Sequence, residues 1–265
     1  SRVPDSGRVC VIGIDDKSLE SVGPWPWPRR YLADIIDILG ELGGKHVAID
    51  LTFTRPSPGD NDTGPSEDDQ ALAEAIRRHG GVIEACYFVQ EPGRPELVDR
   101  LSDLLEKDFN LDLPESARRL ALPESALRPL FAGVRRQAAR RLAIAALKDN
   151  ASLTESMLLE RILGARALRA TDARRELVDA YAYAAAYAAV RQRAGWILDE
   201  PMPRAVIQLP PHTQMRVPIA PFAAAAEDIG FVQFSRDPDG KARRVTLAAA
   251  FEGRVYRQLG LAALI

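Results

Sequence analysis

Asp15 closes the apolar run Val9–Ile14, and Asp50 follows the apolar stretch Val47–Ile49. Each carboxylate therefore sits at the carboxyl end of a predicted parallel strand, the edge at which open α/β sheets bind ligands. Two carboxylates brought together repel unless a cation, a positively charged ligand or a shared proton intervenes. Asp16 and the acidic residues Asp60, Asp62, Asp68 and Asp69 add oxygens of the kind that suits Mg²⁺ or Ca²⁺. The residue types thus point to a ligand or cation site at Asp15, Asp16, Asp50 and Asp69, with Mg²⁺ or Ca²⁺ at Asp15 and Asp50 and no other cofactor required. A plainer use competes with this one. Asp caps helix starts and turns, and Arg29 or Arg30 could reach back to neutralise Asp15 or Asp50.

Enzymatic alternatives have specific tests. Haloacid-dehalogenase-like phosphatases carry D-x-D after the first strand, but "IDDKS" puts Lys17 where the second Asp belongs. No G-x-S-x-G, Walker A loop, G-x-G-x-x-G or H-E-x-x-H occurs. His46, His79 and His212 are isolated and form no ligand spacing. "DND" at 60–62 fails the EF-hand pattern beyond it, and "DPDGK" at 237–241 reads as a hairpin turn. A metal-dependent hydrolase using Asp15 and Asp50 stays as the alternative, and Lys17 speaks against it.

The elements that must position these residues follow from periodicity. "VCVIGID", "KHVAIDLTF" and "VIEACYFV" read as strands buried on both faces. Between them, Leu32, Ile35, Ile36, Leu39 and Leu42 recur at helical spacing, and "SEDDQALAEAIRRHGG" is a second helix with Ser66 as candidate N-cap. Strand, helix, strand, helix, strand implies a parallel sheet with right-handed crossovers. From 94 to about 195 the chain turns helical. Pro123-Glu124 opens a long helix with a break or kink expected near Pro129, Ser152 and Glu155 match a capping box, and Thr171-Asp172 starts a third helix reaching Gly195. Arginine pairs in this block are interleaved with acids, as on a salt-bridged face. Strands return in "RAVIQLP" and in the apolar runs around "DPDG" and "EG", an antiparallel meander ending in a short helix.

The formal charge of −2 argues against a nucleic-acid partner. No stretch approaches the roughly 20 apolar residues needed to cross a bilayer. The abrupt ends, "SRVPDSG" and "LGLAALI", look cut from a longer protein. Cys10 and Cys86 both fall inside predicted buried strands and read as small apolar residues, with pairing between them left open.

"GPWPWPRR" at 23–30 joins the first strand to the first helix. Pro28 suits a first helical turn, while Pro24 and Pro26 hold the approach extended. Trp25 and Trp27 can staple this connection to the sheet edge, or else offer a stacking platform to a ligand.

Several separated pieces together resemble the type 2 CHASE domain, the cyclase/histidine-kinase-associated sensory extracellular family. The family's first strand ends in an Asp-plus-Ser segment, matched by Asp15 and Ser18; a W-P-W-P-R-like element follows, matched from Trp25 through Trp27 and Pro28 to Arg29. Its second strand ends in Asp and then Phe, matched by Asp50 and Phe53, and a D-x-x-L-A-x-A helix matches Asp69, Leu72, Ala73 and Ala75. A late "pD-x-DG-x-x-R" turn matches Asp237, Asp239, Gly240 and Arg243. The resemblance covers about half of the chain, at both ends; the helical block carries none of these motifs.

What the resemblance implies is a non-enzymatic sensory domain outside the cytoplasmic membrane of a bacterium, periplasmic or extracellular. Membrane helices beyond this sequence would lead to a cytoplasmic output: an adenylate or other nucleotide cyclase, a diguanylate cyclase, a histidine kinase or a Ser/Thr kinase. The stimulus would be a small molecule, an ion or a protein, and a homodimer is expected because such outputs act in pairs. An envelope scaffold binding a partner through the helical block is a further alternative. The expected fold is α/β: a three-layer-like parallel or mixed sheet with flanking helices, a C-terminal antiparallel meander and a large inserted helical block. Residues 1–93 form the N-terminal α/β half, 94–195 the inserted block, and 196–265 the strands and final helix that complete the domain.

Overall fold

A computed structural model describes residues 9–58, 65–90, 95–164, 171–195, 206–209, 213–233 and 245–264. The fold is α/β, a mixed sheet flanked by helices. In the N-terminal part, α1 (Asp16–Val22) and α2 (Arg29–Glu41) precede β1 (Val47–Ala48), and α3 (Glu67–His79) precedes β2 (Val82–Gln90). β2 is the centre. β1 lies parallel to it, Val47 opposite Val82, and β5 (Asp228–Phe231) lies parallel on it, Ile83 opposite Asp228. β4 (Thr213–Arg216) pairs antiparallel with the second half of β2, Tyr87 opposite Arg216. A second sheet joins β3 (Val206–Gln208) parallel to β6 (Ala248–Phe251), and β6 antiparallel to β7 (Arg254–Arg257). The β6–β7 turn puts Glu252 and Gly253 at positive φ, the geometry that suits the twist of a tight hairpin.

β2 is buried on both faces from Val82 to Cys86. Val82, Cys86 and Phe88 meet the main core, which includes Ile36 of α2, Leu72 and Ile76 of α3, and Phe222 of α9 (Ala220–Ala225). Ile83 and Ala85 face the other way, onto Leu259 and Ala262 of α10 (Leu259–Ala262). Ser66 caps α3 in a full capping box with Asp69.

The helical block consists of α4 (Pro95–Lys107), α5 (Leu113–Leu120), α6 (Glu124–Asp149), α7 (Glu155–Leu163) and α8 (Thr171–Arg193). Its core holds Leu101, Leu105, Leu127, Leu158 and Leu177. Alanines at 138, 139 and 143 on α6 and at 180 and 184 on α8 lie in that core, and such small side chains let helix axes approach closely. α8 belongs to two cores. Ala173, Leu177, Ala180 and Ala184 pack in the block, whereas Ala186, Tyr187 and Val190 pack against the sheet. Three tyrosines along its middle tie it to both sides: Tyr181 donates to the Leu153 carbonyl at 2.8 Å, Tyr183 to the Met215 carbonyl at 2.8 Å, and Tyr187 to Glu252 at 2.5 Å. The arginine pairs do find acids, Arg119 with Asp108 and Glu115, Arg135 with Glu176, and Arg141 with Glu106. Among the described residues no helix is long and apolar enough to cross a membrane.

Four sequence expectations are corrected. Residues 9–14 are not a strand; Val11 is 88% exposed, and Cys10 is exposed rather than buried. An apolar run specifies burial but not the partner that provides it, and among the described residues none covers this one. α6 runs unbroken through Pro129. α7 is capped by Thr154, whose hydroxyl accepts from the Met157 N–H, and not by Ser152. Finally, Arg29 pairs with neither Asp15 nor Asp50, as described below. The turn residues Asp237, Asp239, Gly240 and Arg243, together with Asp60, Asp62 and His212, lie outside the described residues.

Candidate functional site

Arg29 is the first residue of α2, placed there by Pro28, which takes the N-cap position with an extended backbone. Its guanidinium enters the core. One terminal nitrogen donates to Asp69 Oδ1 at 2.5 Å and the other to the Arg55 carbonyl at 2.6 Å. The group lies over the Phe53 ring, 4.8 Å from its centroid, and 5.3 Å from that of Phe222. A cation over aromatic faces in a desolvated site gains from the ring quadrupoles.

Asp69 is fully buried. Besides Arg29, it accepts from the backbone N–H groups of Ser57 and Ser66, both at 3.0 Å. One carboxylate thus ties together the start of α2, the loop after β1 and the start of α3. Burial pulls the Arg29 pKa down and the Asp69 charge opposes that pull.

The third member is Glu84, the third residue of β2. Its side chain is fully buried, and among the described residues neither carboxylate oxygen has a hydrogen-bond partner. Burial pushes its pKa up to about 8, against the attraction of Arg29, so the neutral acid prevails at neutral pH. The site is therefore a buried guanidinium paired with the Asp69 carboxylate, with the buried Glu84 within range of its charge. Ionising Glu84 would give Arg29 a second anion to serve. The sequence did carry a signal for it: a lone acid inside "VIEACYFV" must be neutral or paired if that strand is buried.

The structure brings Arg29, Phe53 and Asp69 together and places Asp15, Asp16 and Asp50 elsewhere. Asp15 caps α1, accepting from the Ser18 backbone N–H at 3.0 Å and the Ser18 hydroxyl at 2.8 Å. Those two donors, the N–H first, hold its carboxyl below the ordinary range. Asp16 lies exposed in the first turn of α1, and Asp50 lies exposed just beyond β1. Among the described residues no group of three or more His, Cys, Asp or Glu side chains is placed to hold a metal ion. Cys10 and Cys86 are both free.

The two tryptophans divide their work. Trp27 is buried, and its indole N–H donates to the Gly23 carbonyl at 2.7 Å; Trp25 is 41% exposed and meets Trp27 edge-on at 5.9 Å. Gly23 ends α1 at φ 115°, a conformation open to glycine and costly for other residues. Trp27→Phe keeps the apolar contact but leaves that carbonyl without its donor. We expect it to cost roughly 1–2 kcal/mol in urea unfolding, while Trp25→Phe stays within about 0.5 kcal/mol. Equal losses at both positions would refute this division.

The family model of the CHASE2 domain matches residues 1–265, the whole chain. No curated protein and no solved structure matches.

Proposed function

The chain belongs to the CHASE2 domain family, a family of sensory extracellular domains, and from that premise we propose that it is the non-enzymatic signal-input domain of a bacterial transmembrane receptor. The family match over the full 265 residues carries this reading. The output is a cytoplasmic cyclase, diguanylate cyclase, histidine kinase or Ser/Thr kinase, and the receptor works as a homodimer with this domain on the outer side of the cytoplasmic membrane. A stimulus acts by favouring one packing of the domain over another, and it shifts that equilibrium only by its differential affinity for the two. The Arg29–Asp69 pair suits this role. It joins three chain segments through one buried charge pair, so a rearrangement of any of them is felt by the others.

The test uses the full-length receptor in spheroplasts. Residues 1–265 should be cleaved by protease added outside, and Arg29→Lys, which keeps the charge but loses the two-pronged geometry, should shift output activity by several-fold. Protection from external protease would overturn the placement; unchanged output would remove Arg29 from the signalling path. Turnover of phosphatase or phosphodiesterase substrates with Mg²⁺ by the isolated domain would overturn the non-enzymatic reading.

A further inference from the structure

The β6–β7 hairpin turns on a residue that fits its place badly. Phe251 pairs with Arg254, so Glu252 and Gly253 make a two-residue turn, at φ 45° and 73°. Gly, Asn and Asp take the first position of such a turn at little steric cost, and Glu does not. A misfit of this kind raises the question of what the side chain does in return. The Glu252 carboxylate accepts from the Tyr187 hydroxyl at 2.5 Å. Arg191, one helical turn further along α8, donates to the same hydroxyl at 3.2 Å and lies 3.7 Å from Glu252. Tyr187 is buried, and a buried hydroxyl needs a partner. Asn or Asp would suit the turn better but is one methylene too short for this reach.

The start of β7 holds the same helix end from a second side. Arg254 Nη1 donates to the carbonyls of Arg191 at 2.7 Å and Gly195 at 2.8 Å. Carbonyls at a helix C-terminus lack intrahelical partners, and a cation there also meets the negative end of the helix dipole. Tyr256 closes the contact. A Cβ on Gly195 would come within 3.0 Å of its ring, so glycine lets the chain leaving α8 lie against it.

Both sides of this contact lead elsewhere. Along α8, Tyr187 stacks on Tyr183 with centroids 6.0 Å apart, and Arg140 of α6 lies 4.3 Å over the Tyr183 ring. Along the hairpin, β7 passes directly into Gln258, which bridges to Phe231 of β5 and caps α10.

We propose that Glu252 and Arg254 form a clasp on the end of α8, and that a change in the helical block reaches β7 and α10 through it. Glu252 occupies its strained position for its reach to Tyr187 and not for the turn. As a signalling route the clasp rests on the sensory reading; as a coupling between two parts of the fold it does not.

Two measurements on the 265-residue chain test it. The first is the urea midpoint of wild type, Glu252→Asn, Tyr187→Phe and the double variant. Glu252→Asn should lower the midpoint of the wild type and raise it in the Tyr187→Phe background, where only relief of the turn remains. A shift of the same sign and size in both backgrounds would make Glu252 an ordinary turn residue and overturn the proposal. The second is hydrogen exchange in β7 and α10 after Leu158→Ala, which opens a cavity in the block core far along the chain from the hairpin. With the clasp intact, exchange there should quicken at least about threefold, and in Glu252→Asn/Arg254→Met it should ignore the cavity. Leu158→Val serves if the larger cavity unfolds the block. No response with the clasp intact, or an equal response without it, would overturn the proposal, the second because apolar packing of α8 would then carry the coupling. Neither measurement involves receptor output, so failure of the sensory reading would leave the result standing.

Discussion

Arg29→Met should lower stability in urea unfolding by on the order of 3–5 kcal/mol, the penalty for leaving a buried carboxylate without its ion-pair partner. Asp69 is fully buried and keeps only the backbone N–H groups of Ser57 and Ser66 once the guanidinium is gone. The loss has three parts: an uncompensated charge, the two cation–aromatic contacts with Phe53 and Phe222, and the hydrogen bond that fixes the Arg55 carbonyl. A melting temperature lower by roughly ten degrees is the corresponding signature in a chain of this size. The double variant Arg29→Met/Asp69→Leu should recover part of that loss, because removing both charges removes the desolvation problem. A single-variant loss below about 1 kcal/mol would show that the pair is solvated and that the site is not the buried node described here.

Glu84 produces the second large effect, and its sign is opposite to that of an ordinary surface carboxylate. Its folded pKa, about 8, lies above the ordinary 4.5. Below pH 4.5 both folded and unfolded chains hold the proton and burial of the neutral acid carries no ionisation penalty. Between 4.5 and 8 only the folded chain holds it, so stability falls as pH rises and levels off above about 8. The contribution lost across that window is on the order of 5 kcal/mol. Burial also raises the pKa values of Glu176 and Asp228, which adds to the same trend. Urea unfolding of wild type and Glu84→Gln at a series of pH values isolates Glu84: the variant's curve should be flatter by that amount, and Glu84→Met should be the more stable protein at pH 8. Parallel curves for wild type and Glu84→Gln would mean that Glu84 titrates normally.

Much of the sheet side was legible because its signals are local. The spacing of Leu32 and Ile36 identifies α2, and Ser66 with Asp69 marks the start of α3; the apolar run of residues 82–88, interrupted only by Glu84, identifies β2. Arg29 was visible as a cation needing a partner, but which of several aspartates receives it depends on how α2 and α3 lie side by side, forty residues apart in the chain. Periodicity says nothing about that. The same limit explains residues 9–14. Their composition states a need for burial without naming the surface that meets it. Thr154 and Ser152 were chemically equivalent as caps, and the choice fell to the residue at which the backbone leaves the extended region. The double allegiance of α8 was hidden because Ala and Tyr suit either core.

That allegiance gives the molecule a lever. α8 runs 23 residues, about 34 Å at the helical rise, with one end held among α6 and α7 and the other against β4 and the β6–β7 turn. A rigid rod of that length converts a tilt of five degrees at one end into a displacement of about 3 Å at the other, comparable with the small helix shifts that switch other proteins between states. Whatever touches the outer helices therefore does not need to reach the sheet to move it.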